Sequence, residues 1–196
     1  MQANAGKKRC LEEVEKEAEN DDQITHINGS IYFYSEVSTP NILKLLECLK
    51  EANQFCCNTG QPLSELRVKV YIHTSGGDAF AGMSGMDHLR KNQVPVVTIA
   101  DGFVASAGTF LLLGGYERHA LKNSRLLIHQ LSTGFWGKYA DLLDEVKNSK
   151  ELMTSFKKIY KTNTGMNVST LKCLLKKEVH FNAQQALEFG FVSKII

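Results

Sequence analysis

Residues 97–129 read VTIADGFVASAGTFLLLGGYERHALKNSRLLIH, and this stretch limits what the chain can fold into more than any other. Val96, Val97, Thr98, Ile99 and Ala100 form a short apolar, partly β-branched run of the kind that makes a buried strand, and Asp101-Gly102 predicts its end. Ala105-Ser106-Ala107-Gly108 carries no bulky side chain, and residues 109–113 are free of charge until Gly114-Gly115 stops the run. Ser106 therefore falls where a strand feeds a buried helix, whose first turn offers free N–H groups and partial positive charge to a developing oxyanion. Residues 125–129 read as a further buried strand that delivers His129 at its end. A hydroxyl and an imidazole at neighbouring strand ends are the minimum for an activated serine. Each has a structural reading as well, since small residues permit close packing and a lone histidine commonly ends an apolar strand. Val104 also excludes the G-x-S-x-G elbow.

The rest of the chain supplies a frame for that stretch. With 196 residues, 43% hydrophobic and 22% charged, it is long enough to bury a core without disulfides or metal, which predicts one domain over residues 23–196. Residues 1–22 are polar and charged, with Leu11, Val14 and Ala18 at helical spacing, and carry no assignable chemistry. Five cysteines without a metal-ligand pattern predict a reduced intracellular setting, the cytoplasm or another reduced compartment. No apolar run reaches membrane-spanning length, the N-terminus lacks a signal-peptide core, and a net charge of +2 gives no reason to expect nucleic acid.

Residues 31–34 predict a strand. Ser38-Thr39-Pro40 predicts a helix start, with Ile42, Leu45, Leu46 and Leu49 as its apolar stripe. Residues 53–66 predict a surface loop and 67–72 a strand, which Gly76-Gly77 turns into a helix carrying Met83, Met86 and Leu89. Two glycines allow close backbone approach to a ligand, although such a pair is also an ordinary turn. Residues 139–162 predict a long amphipathic helix striped by Leu142, Leu143, Val146, Met153, Phe156 and Ile159, and residues 167–175 a short one.

Four motifs together resemble the ClpP family of serine peptidases: Tyr71-Ile72-His73-Thr74-Ser75-Gly76-Gly77 with Ala81-Gly82-Met83; Gly102-Phe103-Val104-Ala105-Ser106-Ala107-Gly108-Thr109-Phe110; Asn123-Ser124-Arg125-Leu126-Leu127-Ile128-His129-Gln130; and Ala186-Leu187-Glu188-Phe189-Gly190-Phe191-Val192. The resemblance implies an α/β fold of the ClpP/crotonase type, built from repeated ββα units with a protruding strand-helix handle. It implies Ser106 as nucleophile, His129 as base and Glu178 as third member of the triad, with Gly77 and Ala107 N–H groups forming the oxyanion hole. Leu131, Ser132, Thr133 and Gly134 would lie in a strand that pairs with extended peptide substrate. No metal or cofactor is implied. The implied assembly is a homo-oligomer of stacked heptameric rings joined through the handle, with Phe135, Trp136 and the apolar stripe at the contact, served by an AAA+ unfoldase ATPase.

The chain departs from the family pattern at several of these positions. Glu178 stands where the family has aspartate, Lys177 where it has arginine, Ser75 where it has proline, and Lys69 at a docking position that is usually apolar or aromatic. The implied activity is endopeptidase hydrolysis of unfolded proteins or peptides through a Ser-His-Glu triad. The alternatives are a non-catalytic ring subunit of the same family and a crotonase-type acyl-CoA enzyme.

Overall fold

The computed structural model describes residues 23–196; the helical spacing read in residues 1–22 lies outside the described residues. An antiparallel hairpin of β1 (Gln23–Ile27) and β2 (Ser30–Tyr34) opens the sheet, turning at Asn28-Gly29. Asn28 sits at φ +48°, a left-handed conformation that asparagine tolerates. Beyond it, β2 pairs in parallel with β3 (Val68–Thr74), and β3 with β4 (Val96–Ala105). The path continues to β5 (Glu117–Ala120) and β8 (Lys194–Ile195), while β6 (Arg125–Leu127) pairs with β4 and with β7 (Phe181–Asn182).

Strand β4 does not end at Asp101-Gly102. Its first half pairs with β5, from Val97 opposite Glu117 to Ala100 opposite Ala120; its second half pairs with β6, from Phe103 opposite Arg125 to Ala105 opposite Leu127. Gly102 takes φ +70° at the changeover, and a Cβ there would stand 2.6 Å from His73 Nδ1. The pair therefore forms a kink between two ladders, and the strand carries on to the residue before Ser106.

Helices cover one face of this sheet. The first, α1 (Thr39–Cys57), starts where Ser38 Oγ accepts the Asn41 N–H, with Pro40 in the first turn. It runs past residue 53, where a loop was expected, because Ala52 and Cys56 continue the buried stripe of Ile42, Leu45 and Leu49. Next, α2 (Ala79–Arg90) is capped by Asp78, whose carboxylate accepts the Ala81 N–H at 2.6 Å. All six residues of α3 (Gly108–Leu113) are buried, as its uncharged sequence requires. These elements share a contiguous core that includes Phe33, Leu45, Ile72, Leu111, Leu112 and Phe191.

The long helix α4 (Tyr139–Asn163) forms as expected, yet its buried residues are Phe156 and Tyr160. Leu142, Leu143 and Val146 are exposed, as are Phe135 and Trp136 before them. Arg90 and Arg118 hold the C-terminal end: Arg118 donates to the carbonyls of Asn163 at 3.0 Å and Gly190 at 3.3 Å, and Arg90 to the Leu113 carbonyl at 3.1 Å and the Asn163 side chain. Burial, with Arg90 close by, lowers the pKa of Arg118. Short helices α5 (Val168–Leu174) and α6 (Ala183–Glu188) complete the chain. Residues 128–138 make no strand, because no ladder partner lies beside them among the described residues. No described helix is long and apolar enough to cross a membrane.

Candidate active site

Ser106 lies between the end of β4 and the start of α3, and takes φ +52°. A left-handed backbone is unfavourable for a residue with a Cβ and has to be held by its surroundings. Here the Ser106 N–H donates to the Leu127 carbonyl at 2.9 Å, and the Ser106 carbonyl accepts from the Thr109 N–H at 3.0 Å and the Thr109 hydroxyl at 2.6 Å. The Ser106 hydroxyl itself has no hydrogen-bond partner among the described residues.

Glycine is required on the facing turn. A Cβ on Gly76, at φ +107°, would stand 2.6 Å from Ser106 Cβ; one on Gly77, at φ +141°, would stand 2.3 Å from the Val37 carbonyl oxygen. The Val37 N–H donates to the Gly76 carbonyl at 2.7 Å, and the Asp78 N–H to the Val37 carbonyl at 2.7 Å, so the turn is pinned on both sides of Gly77. The Gly77 and Ala107 N–H groups meet no acceptor among the described residues. Two free donors beside an unpartnered hydroxyl can hold negative charge that develops on a substrate oxygen.

Gly77, Ser106, Ala107 and His129 line a single cavity of about 120 Å³. Its apolar wall is Phe110, Phe156 and Tyr160, with ring centroids 5.1 Å apart for Phe110–Phe156 and 5.5 Å for Phe110–Tyr160. Burial pushes the Tyr160 phenol well above the ordinary tyrosine pKa. Leu131 and Ser132 line the same cavity and, with Thr133, an adjoining groove of about 670 Å³; Gly134 lines neither.

His129 Nδ1 stands 2.7 Å from the Gln130 carbonyl oxygen and 3.9 Å from Glu178 Oε1. A carbonyl can only accept, so Nδ1 carries the proton in the neutral ring and Nε2 keeps its lone pair. Glu178 lies beyond hydrogen-bonding distance, with its side chain 73% exposed. Its loop is fastened at one end by the Gln130 N–H to the Leu175 carbonyl at 2.7 Å, and at the other by the pairing of β7 with β6. The triad positions expected from sequence thus come together, while the Gln130 carbonyl and Tyr160 were missed. A backbone acceptor leaves no trace in residue identity; Tyr160, four residues after Phe156, could have been found by helical spacing.

Fold and site define an α/β protein in which a strained serine at a strand–helix elbow shares a cavity with an imidazole and two free N–H groups. The Clp protease family matches residues 60–196, and the chain belongs to that family. It is 33% identical over 134 residues to the "ATP-dependent Clp protease proteolytic subunit" of Deinococcus radiodurans, a match covering 67% of this chain and 66% of that relative's length.

Proposed function

We propose that the chain is a serine endopeptidase subunit, with residues 23–196 forming one peptidase domain that hydrolyses peptide bonds of unfolded proteins or peptides. The observation that carries this reading is the free Ser106 hydroxyl, held at φ +52° in one cavity with His129 and the unpaired N–H groups of Gly77 and Ala107. His129 Nε2 takes the Ser106 proton, Ser106 Oγ attacks the peptide carbonyl, and the Gly77 and Ala107 N–H groups hold the tetrahedral oxyanion. The imidazolium then protonates the leaving amine. In the second half, water attacks the acyl-enzyme with His129 as base, releasing the acid and restoring Ser106.

The Gln130 carbonyl fixes the tautomer of His129, and Glu178 adds a negative charge at 3.9 Å that favours the imidazolium. Residues 131–134 bind extended substrate through backbone groups that have no strand partner among the described residues. The exposed side chains of Phe135, Trp136, Leu142, Leu143 and Val146 join copies into stacked heptameric rings, and an AAA+ ATPase delivers unfolded substrate. The setting is the cytoplasm or another reduced intracellular compartment.

A non-catalytic ring subunit is the second reading, favoured by the exposure of Glu178. An acyl-CoA enzyme would need carboxylates as acid and base, and none among the described residues lines the Ser106 cavity. Hydrolysis of a fluorogenic peptide by the full chain, beside Ser106→Ala and with assembly followed by size exclusion, separates these readings. Turnover lost in the variant supports the peptidase. An assembled wild type without turnover supports the scaffold.

A further inference from the structure

The carbonyl of Ser106 is tied to a residue 54 positions further along the chain. Thr109, in the first turn of α3 and fully buried, places its hydroxyl 2.6 Å from that carbonyl and 2.8 Å from the Tyr160 hydroxyl. A carbonyl oxygen cannot donate, so Thr109 gives it the one proton its hydroxyl has. The Thr109 oxygen is then left as acceptor, and Tyr160 must be the donor. A threonine bonding back to the carbonyl three residues earlier is a common local arrangement. Here a second element completes it: Tyr160 arrives from α4, 2% exposed, between Phe110 at 5.5 Å and Phe191 at 5.9 Å, and its hydroxyl has no other partner among the described residues.

We propose that Tyr160 and Thr109 form a hydroxyl relay that positions the nucleophile, holding Ser106 in its left-handed conformation and tying that conformation to the seating of α4. The Ser106 N–H is fixed by β6 through Leu127, and the carbonyl by the Thr109 N–H together with the relay, so the peptide planes on both sides of the nucleophile are set. One of these planes carries the Ala107 N–H of the oxyanion hole. Tyr160 is also one of two buried residues of α4, so a shift of that helix along the body pulls on the relay. Both are positioning residues that act through Ser106, and the inference rests on the serine-peptidase reading above.

The test is the rate at which a fluorophosphonate modifies Ser106 in the full chain, measured over a range of reagent concentrations for wild type, Thr109→Val, Thr109→Ser, Tyr160→Phe and the Thr109→Val/Tyr160→Phe double variant. Loss of one neutral hydrogen bond predicts a maximal rate about tenfold lower for Thr109→Val, with the half-saturating concentration unchanged within about twofold. Thr109→Ser keeps the hydroxyl and restores the rate. Tyr160→Phe slows it about threefold, and the double variant is no slower than Thr109→Val, because a relay broken once has nothing more to lose. A wild-type rate in Thr109→Val, failure of serine to restore it, or multiplying effects in the double variant overturns the relay.

Amide hydrogen exchange at Ser106 and Thr109 gives a readout that needs no catalysis. The relay predicts faster exchange in Thr109→Val and Tyr160→Phe than in wild type or Thr109→Ser, and equal exchange in all four overturns it. A wild type that takes no label rejects the peptidase reading, while exchange still decides the relay.

Discussion

Helices α3 and α4 both line the same cavity and are held in opposite ways. All six residues of α3 are buried, and its first turn is bonded to the strand end before it and to Tyr160. In α4, with 25 residues, Phe156 and Tyr160 alone are buried, and its C-terminal end is clamped by Arg90 and Arg118 while its N-terminal half carries exposed Leu142, Leu143 and Val146. The elbow is over-determined, as a residue held at positive φ must be. The arm has an apolar face that no described residue covers.

The largest effect separating the two regions is chemical. Ser106→Ala is expected to lower peptide hydrolysis at least about 10³-fold with assembly intact, since the remaining groups cannot replace a nucleophile. Steady-state kinetics beside size exclusion measures both, and retained turnover would move the chemistry away from the elbow.

Stability gives the next contrast. Leu111→Ala, at a fully buried site of α3, is expected to cost about 2–5 kcal/mol, whereas Leu143→Ala on the arm stays within about 0.5 kcal/mol in the dissociated subunit at low protein concentration. Urea unfolding of both at matched concentration checks this, and comparable losses would mean that the arm is packed against something in solution. If it is, the loss at Leu143 should grow with protein concentration.

A smaller effect sharpens the account of His129. An exposed carboxylate at 3.9 Å contributes little, so Glu178→Gln is expected to lower kcat/KM by no more than about tenfold. A loss near 10⁴-fold would show that Glu178 moves into a hydrogen bond with Nδ1 during turnover and displaces the Gln130 carbonyl. The smallest effect is a gain: Ser106→Gly, inactive, is expected to be more stable than Ser106→Ala by up to about 1 kcal/mol in thermal or urea unfolding, because glycine relieves the left-handed backbone at φ +52°. No gain would mean that the elbow is not strained.

The same contrast governs what could be read in advance. The elbow was legible because its constraints are local. An uncharged run between glycines has to be buried, small residues have to stand where backbones approach, and His129 closes an apolar strand two residues beyond the last paired position of β6. The onward course of β4 was not legible, since Asp101-Gly102 reads alike as a strand end or as a kink; only two different neighbours, β5 and β6, distinguish the cases. The end of α1 was misplaced because Ala52 and Cys56 are weakly apolar residues whose burial depends on what packs over them. The expected strand through residues 131–134 depends on a pairing partner, and a sequence records a strand's partner poorly. At the site, resemblance pointed to Glu178, which stands 3.9 Å from His129 Nδ1, but the acceptor on Nδ1 is a backbone carbonyl, for which any residue at position 130 would serve.

The central claim is that the strained Ser106 is an activated nucleophile, and the most direct measurement is the intact mass of the full chain after fluorophosphonate treatment, beside Ser106→Ala. The account predicts one adduct on the wild type and none on the variant. An unmodified wild type, or an adduct that persists in Ser106→Ala, would contradict it.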